Sequence, residues 1–216
     1  MMMKQGLWAM CLLSGMSFVV GNVALAESST PLTAPTAPVA PTAPVAPAAS
    51  VAIPACAPAV APITEQDVQA AQQAWADGIV TIGKTYQEKG DYSAAATKLL
   101  DQLYAFDEGE VLFKPTKAAE DQFRGSKDEA LSYFVKGKET EDHGFALQPW
   151  SKVRFENEAV AINQDTAEAM GNYYFTDAAT GKETKVEYTF GYKRAKTDGH
   201  LAIFLHHSSL PYHPEH

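Results

Sequence analysis

Apolar positions along this chain change their period once, from helical to strand-like. Val68, Ala71, Trp75, Ile79, Ile82 and Tyr86 recur at three- and four-residue spacing, which predicts the buried face of a long amphipathic helix ending near Gly90. Thr64 followed by Asp67 marks its start, a hydroxyl to cap an orphan N–H and a carboxylate suited to the helix dipole. A second helix is expected from Tyr92 to Ala105, burying Ala95, Leu99, Leu103 and Tyr104. Val111-Leu112-Phe113 then reads as a short buried strand closed by Lys114-Pro115. Ala118 to Phe123 and Asp128 to Val135 read as short helices on either side of Gly125. Beyond Pro149 the period is two: Lys152 to Asn163, Ala167 to Thr176, Glu183 to Lys193 and Leu201 to His207 are strand candidates. Turn residues separate them at Asn163-Gln164-Asp165, Ala179-Thr180-Gly181 and Thr197-Asp198-Gly199.

Helices first and a meander of antiparallel strands afterwards argue an α+β domain, with N-terminal helices packed on a strongly curved antiparallel sheet. Roughly 150 residues suffice for one such core. A sheet curved over a helix leaves a cone with an open mouth, and the pocket lies between the helix and the concave face. This arrangement resembles that of NTF2-like and SnoaL-like domains, which carry several unrelated chemistries, so the function has to be read from side chains.

Composition explains why the fold starts so late. Nine of the 13 prolines lie between Pro31 and Pro62, and Thr-Ala-Pro-Val-Ala-Pro occurs twice in succession from Thr36 to Pro47. Proline fixes φ and offers no N–H, so residues 27–63 are expected to be an extended, disordered linker. Ahead of it, Lys4, an apolar run from Gly6 to Val20 and Ala24-Leu25-Ala26 form a secretory leader with an A-x-A cleavage site, residues 1–26. The run is short for a membrane span, and cleavage would leave none. An exported, periplasmic or secreted protein follows, with a domain over 64–212 and a tail at 213–216. Cys11 would leave with the leader, and Cys56 would remain as a lone linker thiol.

Charge removes one class of function. Lys and Arg total 17 against 26 Asp and Glu, a formal net charge of -9, the opposite of what phosphate neutralisation requires, so a nucleic-acid partner is not expected. No GxSxG elbow, P-loop or GxGxxG string occurs.

The densest set of reactive groups is Phe204-Leu205-His206-His207-Ser208-Ser209-Leu210-Pro211. On a strand, alternate residues share a face, so His206 and Ser208 point one way and His207 and Ser209 the other. One imidazole and one hydroxyl can enter the cone together, or these groups can simply finish an edge strand. Two adjacent histidines make a poor metal pair for the same reason. Asp142-His143, and His213 with His216, are weak local metal signals that read better as solvated loop residues. Thr116 after the short strand and Tyr133 on a short helix supply hydroxyls able to orient water or a small anion.

Several strings are more specific together than apart: Phe113-Lys114-Pro115-Thr116, Gln122-Phe123-Arg124-Gly125, Ala130-Leu131-Ser132-Tyr133-Phe134, Asp142-His143-Gly144-Phe145-Ala146-Leu147, Met170-Gly171-Asn172-Tyr173, Tyr188-Thr189-Phe190-Gly191-Tyr192 and His206-His207-Ser208-Ser209-Leu210-Pro211. Through them the stretch from Val68 to Tyr212 resembles the iota class of carbonic anhydrases, whose domain is similar to the association domain of calcium/calmodulin-dependent protein kinase II. The resemblance implies reversible hydration of CO2 to bicarbonate, usually in a homodimer. It implies a site without metal in which Thr116, Tyr133 and Ser208 hold the bicarbonate, Ser208 being the first serine after the histidine pair. Other members have been described as zinc or manganese enzymes; the opposed faces of His206 and His207 favour the metal-free version. Either histidine could then relay the proton. Two alternatives stay open: a noncatalytic oligomerising module, and a small-molecule isomerase or hydrolase needing a buried carboxylate base, for which Asp142 and Glu187 are the candidates.

Overall fold

A computed structural model describes residues 61–214. The leader, most of the proline-rich segment, Cys11, Cys56 and His216 lie outside the described residues.

Helix α1 spans Glu65–Gln87 and begins as its cap predicts: Thr64 Oγ1 accepts from Asp67 N, and Asp67 accepts from Thr64 N. The packed part starts one residue earlier, because Ile63 is buried. Val68, Trp75, Ile79 and Ile82 are buried as expected, whereas Tyr86 is 45% exposed at the helix end. Helix α2, Tyr92–Leu103, is capped by Asp91 and buries Ala96, Leu99 and Leu100. Helix α3, Lys127–Val135, carries a second capping box between Ser126 and Glu129.

The strands are β1 Leu112–Lys114, β2 Trp150–Ile162, β3 Thr166–Asp177, β4 Glu183–Arg194 and β5 Leu201–Ser209, in the sheet order β1-β5-β4-β3-β2. The four long strands form the expected antiparallel meander. The short one changes the sheet to a mixed type, since β1 pairs parallel to β5, with Phe113 opposite His206. That pairing joins segments some ninety residues apart, and no local pattern announces it. Register shifts between Asn157 and Ala159 and between Gly191 and Tyr192 mark bulges, which bend strands and increase twist. At the first, a Cβ on Gly171 would lie 2.1 Å from the Glu156 carbonyl oxygen, so only glycine admits this approach.

Trp75 anchors the concave side. Its ring centroid lies 5.5–6.5 Å from those of Phe134, Phe155, Tyr173, Phe175, Phe190 and His206. Large buried aromatics in edge-on contact account for much of such a core's cohesion.

The helix expected at Ala118 to Phe123 does not form. The Glu141 carboxylate instead accepts the N–H groups of Ala119, Glu120 and Asp121. Arg124 Nη1 donates to the Asp121 carbonyl. Three successive N–H groups thus find their acceptor in a loop some twenty residues away, and the chain stays open.

Candidate active site

Four hydroxyls from four elements meet on the concave side. Thr116 leaves β1 just after Pro115, whose ring ends the strand. Its Oγ1 donates to Ser208 Oγ on β5 at 2.8 Å. Ser208 is 3% exposed, and Lys114 Nζ donates to its carbonyl oxygen. The Tyr133 hydroxyl on α3 lies against the backbone N–H groups of Thr116 and Lys117. Tyr133 is held by stacking on Phe145, centroids 5.5 Å apart, and by the edge of Phe113 at 5.7 Å. The fourth hydroxyl is that of Tyr173 on β3, beside those of Ser208 and Thr116.

No motif in the sequence points to Tyr173 as a site residue. Alternation alone places it on the inner face with Ala169 and Phe175. Its approach to Ser208 depends on two registers in series, Tyr173 with Val186 and Tyr188 with Ser208.

Burial pushes the phenols of Tyr133 and Tyr173 well above their ordinary range. All four hydroxyls therefore stay neutral at physiological pH, able to donate and accept hydrogen bonds but not to act as strong bases.

The alternation argument on β5 is obeyed. His206 and Ser208 are buried, His207 is exposed, and Ser209 donates to Glu187 on the other side. His207 cannot relay a proton from the hydroxyl cluster, because it faces outward between two surface grooves, one lined by Leu112 and Phe123 and the other by Met170 and Ser209. His206 faces inward but is committed. Trp75 Nε1 donates to the Tyr104 hydroxyl at 2.9 Å, and that hydroxyl lies 2.8 Å from His206 Nδ1. An indole can only donate, so the phenol proton is satisfied when Nδ1 accepts it, which puts the imidazole proton on Nε2. Phe113 stacks on the ring at 4.6 Å, and Nε2 has no partner among the described residues. Burial, aided by His207, drives its basicity well below the usual imidazole range. A ring held neutral in this way is a weak carrier of a proton, which weakens the relay role for His206 as well.

The same shift predicts an acid limb of stability. The unfolded chain protonates His206 below about pH 6.5 while the folded one does not, so the unfolded state binds more protons there. Stability is then complete above that pH and falls below it, by up to about 1.4 kcal/mol per pH unit. Urea denaturation of wild type and His206→Phe between pH 8 and pH 5 checks this. The variant should lose much of the slope; equal slopes would mean that the imidazole is not the responsible group.

Neither carboxylate candidate can serve as a base in the cone. Asp142 is fully buried, but both its oxygens are taken by Arg124, Oδ1 at 2.8 Å from Nη2 and Oδ2 at 3.4 Å from Nε. Glu187 is exposed and accepts from Ser209 on the outer side. An isomerase built on either has lost its base. The Arg124 side chain, itself fully buried, also reaches Glu141 at 3.2 Å and the Phe123 carbonyl at 3.1 Å, while its backbone N–H donates to the Phe113 carbonyl. Backbone N–H groups, those of Ala119 and Glu120 foremost, hold Glu141 down to about 2. These contacts tie the loop that delivers Thr116 to the loop after α3.

Zinc or manganese would need three or four converging ligands. Among the described residues no three His, Cys, Asp or Glu side chains converge to hold an ion. Asp142 turns inward to Arg124 while His143 is exposed, so that pair does not chelate.

Neutral hydroxyls gathered on the inner face of an α+β sheet define a class of site suited to holding a small substrate by hydrogen bonds. The chain belongs to the metal-independent carbonic anhydrase family, whose model matches residues 66–210. It is 45% identical over 155 residues to the metal-independent carbonic anhydrase of Nostoc sp. (strain PCC 7120), covering 69% of this chain and 75% of that one. Among solved structures it is similar to a cyanobacterial iota-carbonic anhydrase complexed with bicarbonate, at 43% identity and TM-score 0.67 over 71% of this chain and 95% of that one. A putative calcium/calmodulin-dependent protein kinase II association domain from Xanthomonas campestris matches at 27% identity and TM-score 0.48, over 74% of this chain and 93% of that one. This protein is a carbonic anhydrase, and the metal-free reading of the sequence agrees with the description of its family.

Proposed function

We propose that CO2 is hydrated at the hydroxyl cluster of Thr116, Tyr133, Tyr173 and Ser208, with bicarbonate as the product held there. The observation that carries this reading is the partly buried Thr116–Ser208 hydrogen bond, which joins two of the three residues expected from sequence, with the Tyr173 hydroxyl beside them. Thr116 and Ser208 share one hydrogen bond, and the hydroxyl proton that bond does not use can go to Tyr173 or to an oxygen of CO2.

CO2 carries no charge, and charge appears on its oxygens only as water attacks the carbon. Donors already aimed at that position need not reorganise when the charge develops, and this is the largest contribution such a site can make. Holding water and CO2 at attack distance adds an entropic share. A neutral hydroxyl can accept a hydrogen bond from the attacking water while donating one to the forming bicarbonate. CO2 and water give bicarbonate and one proton, and the proton must leave the site.

Support for a bicarbonate-binding cone also comes from the cyanobacterial relative crystallised with bicarbonate. The reading extends to place and assembly: the leader-like first 26 residues favour export to the periplasm or beyond, and the exposed Leu112, Phe123 and Met170 favour a homodimer. No helix among the described residues is long and apolar enough to cross a membrane.

Chelation tests the chemistry. Protein treated with a strong chelator and verified metal-free by elemental analysis should hydrate CO2 as fast as untreated protein. Loss of turnover that zinc or manganese restores would sink the hydroxyl-only reading.

A further inference from the structure

Hydration releases a proton among groups that cannot take it. The phenols of Tyr133 and Tyr173 are pushed far up by burial, His206 is buried with Nδ1 engaged by Tyr104, and His207 faces the other side of the sheet. The Asp142 carboxylate is locked to Arg124, and Glu141 is occupied by three backbone N–H groups. Without an acceptor, the proton could leave only by direct transfer to bulk buffer.

Of the other described histidines, His143, His200 and His213, the first stands near Tyr133. Tyr133 lines a cavity of about 420 Å³ that also has His143 on its wall. The other titratable groups around it are Tyr86, Lys117, Lys136, Glu141 and Asp142. His143 is exposed to solvent, so one ring can face both the cavity and the bulk. Its backbone is anchored on both sides. Asp142 before it is clamped by the buried Arg124. Gly144 after it adopts a left-handed φ of 79°, and a Cβ there would lie 2.7 Å from the Leu147 side chain. These contacts hold the His143 backbone at the cavity wall.

We propose that His143 is the proton shuttle of this enzyme: it accepts the proton released in the cone, passed along cavity solvent from the side of Tyr133, and hands it to buffer outside. Imidazole is the side chain whose ordinary range allows both halves of that task near neutrality. The step is balanced, because the attacking water loses one proton, the imidazole gains it, and an external base removes it. The proposal rests on the hydroxyl cluster being the site of hydration.

The full-length His143→Ala variant tests it by three readings. In dilute buffer without imidazole, kcat for CO2 hydration should fall at least about tenfold, the scale of a lost proton-transfer group. Added imidazole should restore it, while isotope exchange between CO2 and bicarbonate at chemical equilibrium, which needs no net proton export, should stay at the wild-type rate. Unchanged kcat in dilute buffer, a loss that imidazole does not rescue, or an equal fall in the exchange would each overturn the shuttle. The hydroxyl reading fails differently: full turnover in Ser208→Ala overturns the site and the route from Tyr133 with it, whereas lost turnover in Ser208→Ala beside an unaffected His143→Ala overturns the shuttle alone.

Discussion

Replacing Ser208 by alanine should reduce CO2 hydration by about 10²–10³-fold, the usual cost of one donor aimed at developing negative charge. Ser208 is the point where the cluster closes: it accepts from Thr116 at 2.8 Å and stands beside Tyr173. A serine hydroxyl can accept from Thr116 and still donate to substrate. Removing Oγ therefore takes away a donor to substrate and leaves the Thr116 hydroxyl without its acceptor. The fold should survive, since alanine fits a buried strand position and the β5 ladder to β4 is made by backbone groups. Stopped-flow hydration assays with circular dichroism on the same preparation separate the two effects. Thr116→Val should give a loss of similar direction, smaller if Tyr133 and Tyr173 still hold the bicarbonate. Turnover within a factor of two of wild type in Ser208→Ala would remove the serine from the chemistry.

The second large effect is on stability. Arg124→Ala removes a cation whose side chain is fully buried and leaves Asp142, equally buried, without its partner. Breaking one side of such a pair costs about 3–5 kcal/mol, because the remaining charge keeps its desolvation penalty and loses its compensation. For a domain of this size that corresponds to a fall in Tm on the order of 10 °C. Activity should fall too, since the same side chain pins the loop that carries Thr116 through the carbonyls of Asp121 and Phe123. Arg124→Lys should recover only part of both, because an ammonium cannot reproduce the two-pronged contact with Asp142. Differential scanning calorimetry reads the first effect. A Tm unchanged in Arg124→Ala would show that the buried pair is not what holds these loops.

Sequence made the outline legible where order is local. The apolar stripe of α1, its capping box and the period-two strands all follow from neighbours a few residues apart, and their bounds agree with the structure within two residues on most elements. The facing of His206 and Ser208 was legible for the same reason, since alternation on a strand needs no partner. What could not be read depends on distant partners. Ala118 to Phe123 has helix-like composition, yet its N–H groups go to Glu141. The parallel pairing of β1 with β5 brings Thr116 to Ser208 across 92 residues. Tyr173 comes beside Ser208 only through the combined registers of β3, β4 and β5, and alternation alone does not distinguish its inward-facing hydroxyl from that of Tyr188 on β4. The family resemblance supplied Thr116, Tyr133 and Ser208, and the structure adds the fourth hydroxyl and its neutral surroundings.

The histidines changed meaning most. As a pair in sequence, His206 and His207 look like the chemical heart of the chain. In the fold, one is sealed among Phe113, Phe190 and Trp75 and the other lies on the outer surface. His143, which in sequence reads as a solvated loop residue, is the one that shares a cavity wall with Tyr133.

The most direct test of the central claim compares metal-free wild type and metal-free Ser208→Ala side by side in a stopped-flow CO2 hydration assay with a pH indicator. Full turnover in the first and a rate approaching the uncatalysed one in the second is the predicted result. Wild type that loses its activity on stripping and regains it with zinc, or a serine variant that matches wild type, would contradict a hydration site built from hydroxyls alone.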